Sequence, residues 1–549
     1  MVKEVSNRKR LGQVQNIQAL FTTKVFDQFL LVGIPPGGDK KSDPAILTAF
    51  PPFEYPSLPL ARIIPAALPT GANNSNFSKG TRSNIPNLVL NDITDLKNLN
   101  LLDIFSNNPI ITDEFVFQIN SGDEKVFGIC IHVVPKSSEI PFFASKTTKK
   151  FTFCFCLLTH RPILHTHFTF LNYLVNLSLG KVKNDENLNN DKMEVNLNCG
   201  TPIEGLDLIG HIGVHPSITL PAYFEHEIER YYVASTHSNQ IELCKDITLN
   251  FPPPQTLDEK SILWASIDTL FSVLSVHDIV NLLSALLLDA QVLIIGSNFQ
   301  EVSMSVYALE NLLKPFNYSG TVMPILPTSD SYLDLLYTPT PFLFGIPPIP
   351  KLKKMKFLES TYLVNIDKHY VPPVDFYPKF PNYDFVCMQI LRLITLQKGE
   401  PNPFRFPPCF TEMLNHKISL SADQTELILR EFKAPLDHIM SDELTCFFVT
   451  DTEENITIFN QELFLAAVNP NDLNFYEFLM ESQTFQEYVE MRLNAFTYAK
   501  QRETGGIRRK SSFLPAGKVP TRKKSLTSKM KDFSIEALKL TDMKELGTD

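Results

Sequence analysis

Behind the apolar run VLII at residues 292–295 stand Gly296, Ser297 and Asn298, a small polar turn that leads into an amphipathic stretch. A strand, a glycine turn and a helix N-terminus can cradle a phosphate, because backbone N–H groups converge where the helix dipole favours an anion. The dinucleotide fingerprint G-x-G-x-x-G needs three glycines, and only Gly296 is here. The turn reads first as a plain strand-to-helix connection capped by Ser297 or Asn298, with anion binding as the alternative. A second glycine cluster, GIPPGGDKKS at 33–42, brings Lys40 and Ser42 near two glycines. It misses the phosphate-loop spacing by one residue, and Pro35 and Pro36 lack the N–H donors such a loop supplies, so a surface loop is expected.

Strand-like alternation would put His165 and His167 on one face, with His160 nearby, a pattern a metal could use. No Cys, Asp or Glu stands at ligand spacing, so core or surface histidines are expected instead. HEIER at His226 lacks the second His of H-E-x-x-H, and there is no G-x-S-x-G elbow. Asp367 and Asp375 lie in loops with no argument for shared burial. No catalytic residue, cofactor site or metal ligand is assigned.

Several elements must position these residues. A strand is expected in KVFDQFLLVGI (24–34), a hairpin over 114–134 that turns at Ser121-Gly122-Asp123, and a strand then a helix from Phe151 to Leu177. Together they predict an α+β lobe over 24–179, with the Gly/Ser/Asn-rich stretch 68–100 as an insert. Residues 180–255, which begin with the polar break NDENLNNDK and end at FPPPQ, read as a linker and turn-rich β region. Over 256–373, Ser275 is a plausible N-cap with Asp278 three residues on. Val276, Ile279, Val280 and Leu283 recur at helical spacing, and VLIIG follows as a buried strand. Alternating helices and strands predict an α/β lobe there, and a mainly helical region is expected over 374–500, with 475–493 as one amphipathic helix.

The 549 residues are enough for two to four such units. No run of 18 apolar residues occurs, and the eight cysteines show no C-x-x-C spacing, so a soluble intracellular chain with buried free thiols is expected. The net charge of −10 argues against nucleic acid as partner. Between Arg502 and Lys531 ten Lys or Arg face one Glu, a net of +9 that leaves −19 for the rest. The tail 501–549 is expected to be basic and disordered; Ser511, Ser512 and Ser525 behind basic residues are candidate phosphorylation sites, and the cluster could touch an anionic membrane.

The stretch LFSVLSVHDIVNLLSALLLDAQVLIIGSNFQEVSMSVYALENLLKPFNYSGTVMPILPTSDSYLDLLYTPTPFLFGI (270–346) resembles the central region of DENN domains. TYLVNIDKHYVPP is similar to the strand that follows it, KVFGICIHV and FCFCLLTHRPILHTHFTFLNYL to the upstream element, and NFYEFLMESQTFQEYVEMR to the downstream one. Asp289-Ala290-Gln291 departs from the basic residues common there. The resemblance implies an α/β fold of bilobal DENN architecture, with an N-terminal longin-like α+β lobe, a C-terminal α/β lobe and a helical element. It implies a guanine nucleotide exchange factor for a Rab-type small GTPase in vesicle trafficking, cytoplasmic and peripheral to membranes. Such a factor needs no covalent chemistry, since it stabilises the nucleotide-free GTPase. Gly128, Pro162, Pro327, Pro339, Pro341, Phe342 and Gly345 are expected to serve turns and packing. Ser297, Asn298, Glu301, Asp330, Tyr337 and Thr338 are the candidate GTPase contacts. The alternatives are a GTPase-activating subunit, with Arg82 or Arg161 as the available arginine, and a non-catalytic scaffold that binds a GTPase.

Overall fold

In the computed structural model the described residues are 25–35, 43–51, 60–72, 111–121, 124–134, 151–178, 220, 222–233, 240–244, 247–250, 258–373, 376–395, 420–451 and 456–503. Runs rich in β-branched and aromatic residues pair into an antiparallel sheet of β1 (Gln28–Gly33), β2 (Ala45–Phe50), β3 (Ile111–Ser121), β4 (Glu124–Val133) and β5 (Phe153–Thr159). Its spatial order is β2-β1-β5-β4-β3, with helix α1 (Leu60–Ala67) between β2 and β3 in the chain. The expected hairpin is β3–β4, where Ser121 stands opposite Glu124. These strands are apolar on both sides, so both faces must be covered. Phe29, Leu31, Ile129 and Phe155 share a core with α2 (Leu164–Ser178) and α3 (Ala222–Val233). Leu30, Cys130, Cys156 and Leu158 join the core on the other face.

Helix α3 corrects the expectation of a turn-rich β region over 180–255. Phe224, Ile228 and Tyr231 recur at helical spacing and are fully buried, so packing of one face outweighs the surrounding turn formers. Among the described residues of this stretch, the hairpin of β6 (Gln240–Cys244) and β7 (Ile247–Asn250) matches the expected strands.

From residue 258 helices and strands alternate as expected: α4 (Asp258–Val273), α5 (Val276–Leu287), β8 (Gln291–Ile295), α6 (Phe299–Leu312), β9 (Thr321–Met323), α7 (Asp330–Leu333), β10 (Phe342–Ile346) and β11 (Tyr362–Asn365). The Ser275 hydroxyl caps α5 by accepting the Asp278 N–H at 3.2 Å. The strands form a parallel sheet in the order β11-β8-β10-β9. Val292 and Ile294 of β8 face one core and Leu293 the other, the two-sided burial of an interior parallel strand.

Helix α6 lies between the two sheets. Its Phe299 meets Phe115 of β3 edge-on at 5.4 Å, its Tyr307 meets Phe127 of β4 at 6.1 Å, and its Val302 and Val306 share a core with Leu343 of β10. A polar seam adds to this apolar contact: the Thr328 N–H and hydroxyl both donate to the Pro69 carbonyl, at 2.8 and 2.9 Å. Residues 68–72, expected to open the insert, are therefore part of the fold, with Leu68 and Ala72 buried. The rest of that insert lies outside the described residues.

The last region holds α8 (Tyr383–Thr395), α9 (Ala422–Lys433), a hairpin of β12 (Phe448–Asp451) and β13 (Ile456–Phe459), α10 (Leu473–Glu481) and α11 (Gln483–Glu503). It is mainly helical as expected, but the helix expected over 475–493 is two, broken at Ser482. The linker at 184–192, Arg82, Asp375 and the tail from 504 with Ser511, Ser512 and Ser525 lie outside the described residues. Among the described residues no single helix is long and apolar enough to cross a membrane. Cys130, Cys154, Cys156 and Cys387 are free and buried as expected, whereas Cys446 is free and exposed.

Candidate functional site

In open parallel sheets, binding crevices form beyond the carboxyl ends of strands where neighbouring connections leave in opposite directions. Strands β8 and β10 meet this condition, because the chain leaves β8 toward β9 and leaves β10 toward β11. Gly296 follows β8 at that point. A side chain there would place its Cβ 2.5 Å from Ile366 Cγ1, so the glycine is required by close approach.

The turn behind it does hold an anion, and the anion belongs to the chain itself. The Ser297 N–H donates to both Asp367 carboxylate oxygens, at 2.9 and 3.0 Å, and the Ser297 hydroxyl donates to Oδ1 at 3.1 Å. Asn298 caps α6, its side-chain oxygen accepting from Gln300 N at 2.9 Å and Glu301 N at 3.2 Å. Asn365 accepts from Lys368 N at 3.0 Å, and His369, in the left-handed region at φ 50, bonds the Val273 carbonyl through Nδ1 at 2.9 Å. The phosphate-like position is thus filled, and the structural reading of Gly296–Asn298 stands.

The six expected contact residues divide between the two edges of this sheet. Ser297, Asn298 and half-buried Glu301 lie at the carboxyl edge, with Asp330 nearby at the start of α7, ion-paired to Lys351. Tyr337 and Thr338 lie at the amino edge. Tyr337 is 59% exposed, while the Thr338 carbonyl accepts from the Gln291 side chain at 2.8 Å. With β8 only five residues long the edges are about 16 Å apart.

The amino edge holds a residue that reading the sequence left unexplained. Asp289 closes α5 at φ 59. Its carboxylate accepts from Ser319 Oγ at 3.0 Å, Thr484 Oγ1 at 2.6 Å and Gln483 N at 2.5 Å, so it caps α11 from outside. Its neighbour Gln291 bridges Thr338, Thr340 and Thr361. The departure at 289–291 therefore serves attachment of the helical region. An Asp directly behind a helix was the local signal; its partner lies some 194 residues away.

Three of the described histidines differ in environment. His160 pairs with Asp27 at 2.6 Å on the surface. His167 is buried, its Nε2–H donating to the Arg161 carbonyl and its Nδ1 accepting from the Tyr231 hydroxyl, each at 2.8 Å. Burial pulls its pKa down to about 4, helped by the nearby Arg161 charge. Arg161 is half-buried, and its carbonyl accepts from both His167 and the Thr159 hydroxyl. On the opposite face of the sheet, His132 stands across from Cys154 and donates from Nε2 to the Ala67 carbonyl at 2.7 Å. Burial works against its charge, but Asp113 and Cys154 outweigh that and lift it to about 10. Among the described residues no group of three or more His, Cys, Asp or Glu could hold a metal ion.

Residues 150–369 match the DENN (AEX-3) domain family. Over that stretch the chain is similar to the DENN domain family. It is 26% identical over 229 residues to DENN domain-containing protein 2B of Homo sapiens, covering 41% of this chain and 19% of that protein. It is 24% identical over 289 residues to DENN domain-containing protein 2A of Mus musculus, covering 50% and 25%. Over 119 residues it is 34% identical to the MAP kinase-activating death domain protein of Caenorhabditis elegans, covering 21% and 8%. The matches span a quarter or less of each of these relatives. The DENN match contains α6, the Gly296–Asn298 turn, Asp367 and all six expected contact residues.

Proposed function

We propose that the chain is a guanine nucleotide exchange factor for a Rab-type small GTPase, acting in the cytoplasm at the surface of trafficking membranes. The observation that carries this reading is the DENN match over 150–369, with the carboxyl edge of its parallel sheet closed by Asp367 against a small phosphate ligand. A surface of fixed loops without a nucleophile suits a protein partner, and exchange by differential binding needs nothing else. We read the five-stranded unit as the longin-like lobe. The first contacts to test are Ser297, Asn298, Glu301 and Asp330, which flank the Pro69–Thr328 seam between the lobes; Tyr337 and Thr338 lie at the far edge.

The deciding experiment measures release of a fluorescent GDP analogue from each member of a Rab panel. Acceleration of one or a few Rabs is expected, weakened severalfold by Glu301→Ala with Asp330→Ala. Absence of acceleration across the panel overturns the reading.

A further inference from the structure

The connection between β10 and β11 reads PPIPKLKKMKFLES at 347–360, with four lysines in six residues of a chain whose net charge is −10. The structure gives this turn a fixed shape. Leu352, Met355 and Phe357 pack against the core formed by Leu293, Leu333 and Phe344 on the sheet face away from α6. Residues Pro350–Lys354 form a 3-10 turn. The apolar residues point in, so the lysines point out. Lys351 is tied to Asp330. Lys353, Lys354 and Lys356 are exposed and have no carboxylate partner among the described residues.

This layer is the far end of the stack, separated from the five-stranded sheet by the parallel sheet and α6. Next to the lysines in the chain stands a large exposed apolar group, Leu358, 44% exposed. Lysine stems beside an exposed aliphatic side chain suit a membrane–water interface, the ammonium groups reaching the headgroups. The nearby acids are Asp330, already paired, Asp334 and Glu359. An overall acidic body is repelled by an anionic bilayer, so a rigid cationic end decides which face can approach.

We propose that Lys353, Lys354 and Lys356, with Leu358, form a docking surface for an anionic lipid bilayer. The surface acts through charge density and shallow apolar contact, and it orients the body with its five-stranded sheet away from the membrane. It is independent of the exchange reading and of the basic tail.

The test is co-sedimentation of the full chain with vesicles of phosphatidylcholine containing about a third phosphatidylserine, against phosphatidylcholine alone. Lys353→Ala, Lys354→Ala and Lys356→Ala together should lower partition to the anionic vesicles about tenfold, the attraction of three lysines discounted for Asp334 and Glu359. The corresponding triple Lys→Arg chain should bind as the parent does. Raising salt to about 0.5 M should release the parent, and millimolar glycerophosphoserine should not, which separates a charged surface from a headgroup pocket. The lysines are exposed, so unchanged thermal unfolding checks that each variant is folded. The proposal is overturned if the triple-alanine chain binds like the parent while deletion of 508–524 abolishes binding. It is overturned equally if the parent binds anionic vesicles no better than neutral ones, the outcome expected if the lysines meet an acidic protein instead.

Discussion

The five-stranded sheet keeps polar groups inside its faces, whereas the parallel sheet keeps them at its ends. In the first, Asn172 donates to Glu114 at 3.1 Å, His132 stands opposite Cys154 and His167 bonds Tyr231, all between sheet and helices. In the second, the strand interiors are apolar, and Asp289, Gln291 and Asp367 sit where strands meet turns. The difference follows from where unpaired N–H groups are. Parallel strands end in turns and helix starts that need acceptors, while helices on both faces of the antiparallel sheet bury whatever polar side chains the strands carry. Buried pairs in the first unit fix its packing, and edge carboxylates in the second fasten neighbouring elements to it.

The largest expected effect breaks an interior pair. His132→Ala removes a buried imidazolium, strands Asp113 and Cys154, and opens a cavity under Phe115 and Phe299. A loss of about 4 kcal/mol is expected, read as a lowered apparent Tm, with His132→Gln costing less. If both variants unfold like the parent, the interior pairs do not set the packing.

The second prediction uses pH to set the two buried histidines against each other. The folded pKa of His167 is lowered, so its contribution is complete above about 6.5 and is lost as pH falls from there toward about 4. About 3 kcal/mol of stability should disappear across that window, and His167→Phe should flatten the curve. His132 has the opposite sign: its contribution is present below about 6.5 and fades as pH rises toward about 10. Stability measured from pH 4 to 10 should show the acid limb vanish in one variant and the alkaline limb shrink in His132→Gln.

An edge effect comes third. Asp289→Ala removes three acceptor contacts and puts alanine at φ 59, for a loss of about 2 kcal/mol. Asp289→Asn tolerates that backbone and keeps an acceptor, so it should recover roughly half. The diagnostic readout is hydrogen exchange: the first turn of α11 should lose protection while β8 keeps it.

What could be read from the sequence follows the same division. Hydrophobic period placed β8, α5 and the β3–β4 hairpin, and the Ser275 cap was legible from its spacing to Asp278, because each depends on neighbours within a few residues. Helix α3 was missed because its buried apolar residues Phe224, Ile228 and Tyr231 stand in a polar, turn-rich setting. Asp367 with Ser297, and Asp289 with Gln483, are partners 70 and 194 residues apart, so no local pattern announces them. The candidate contacts were chosen as polar loop residues, a criterion that does not distinguish one end of a sheet from the other.

The smallest effect bears most directly on the carboxyl edge. Asp367 is exposed, so Asp367→Ala should cost about 1 kcal/mol. It also empties the only acceptor recorded for the Ser297 N–H among the described residues, beside a helix start that favours anions. The variant should therefore gain stability as sulfate rises through the millimolar range, beyond the general salting effect seen in the parent, and Asp367→Asn should gain less. Equal sulfate response in all three would mean the turn has no anion preference, and the carboxylate would be a latch without a vacancy behind it. A selective response would establish that this chain has the strand–turn–helix geometry of a phosphate site while holding it shut with its own side chain.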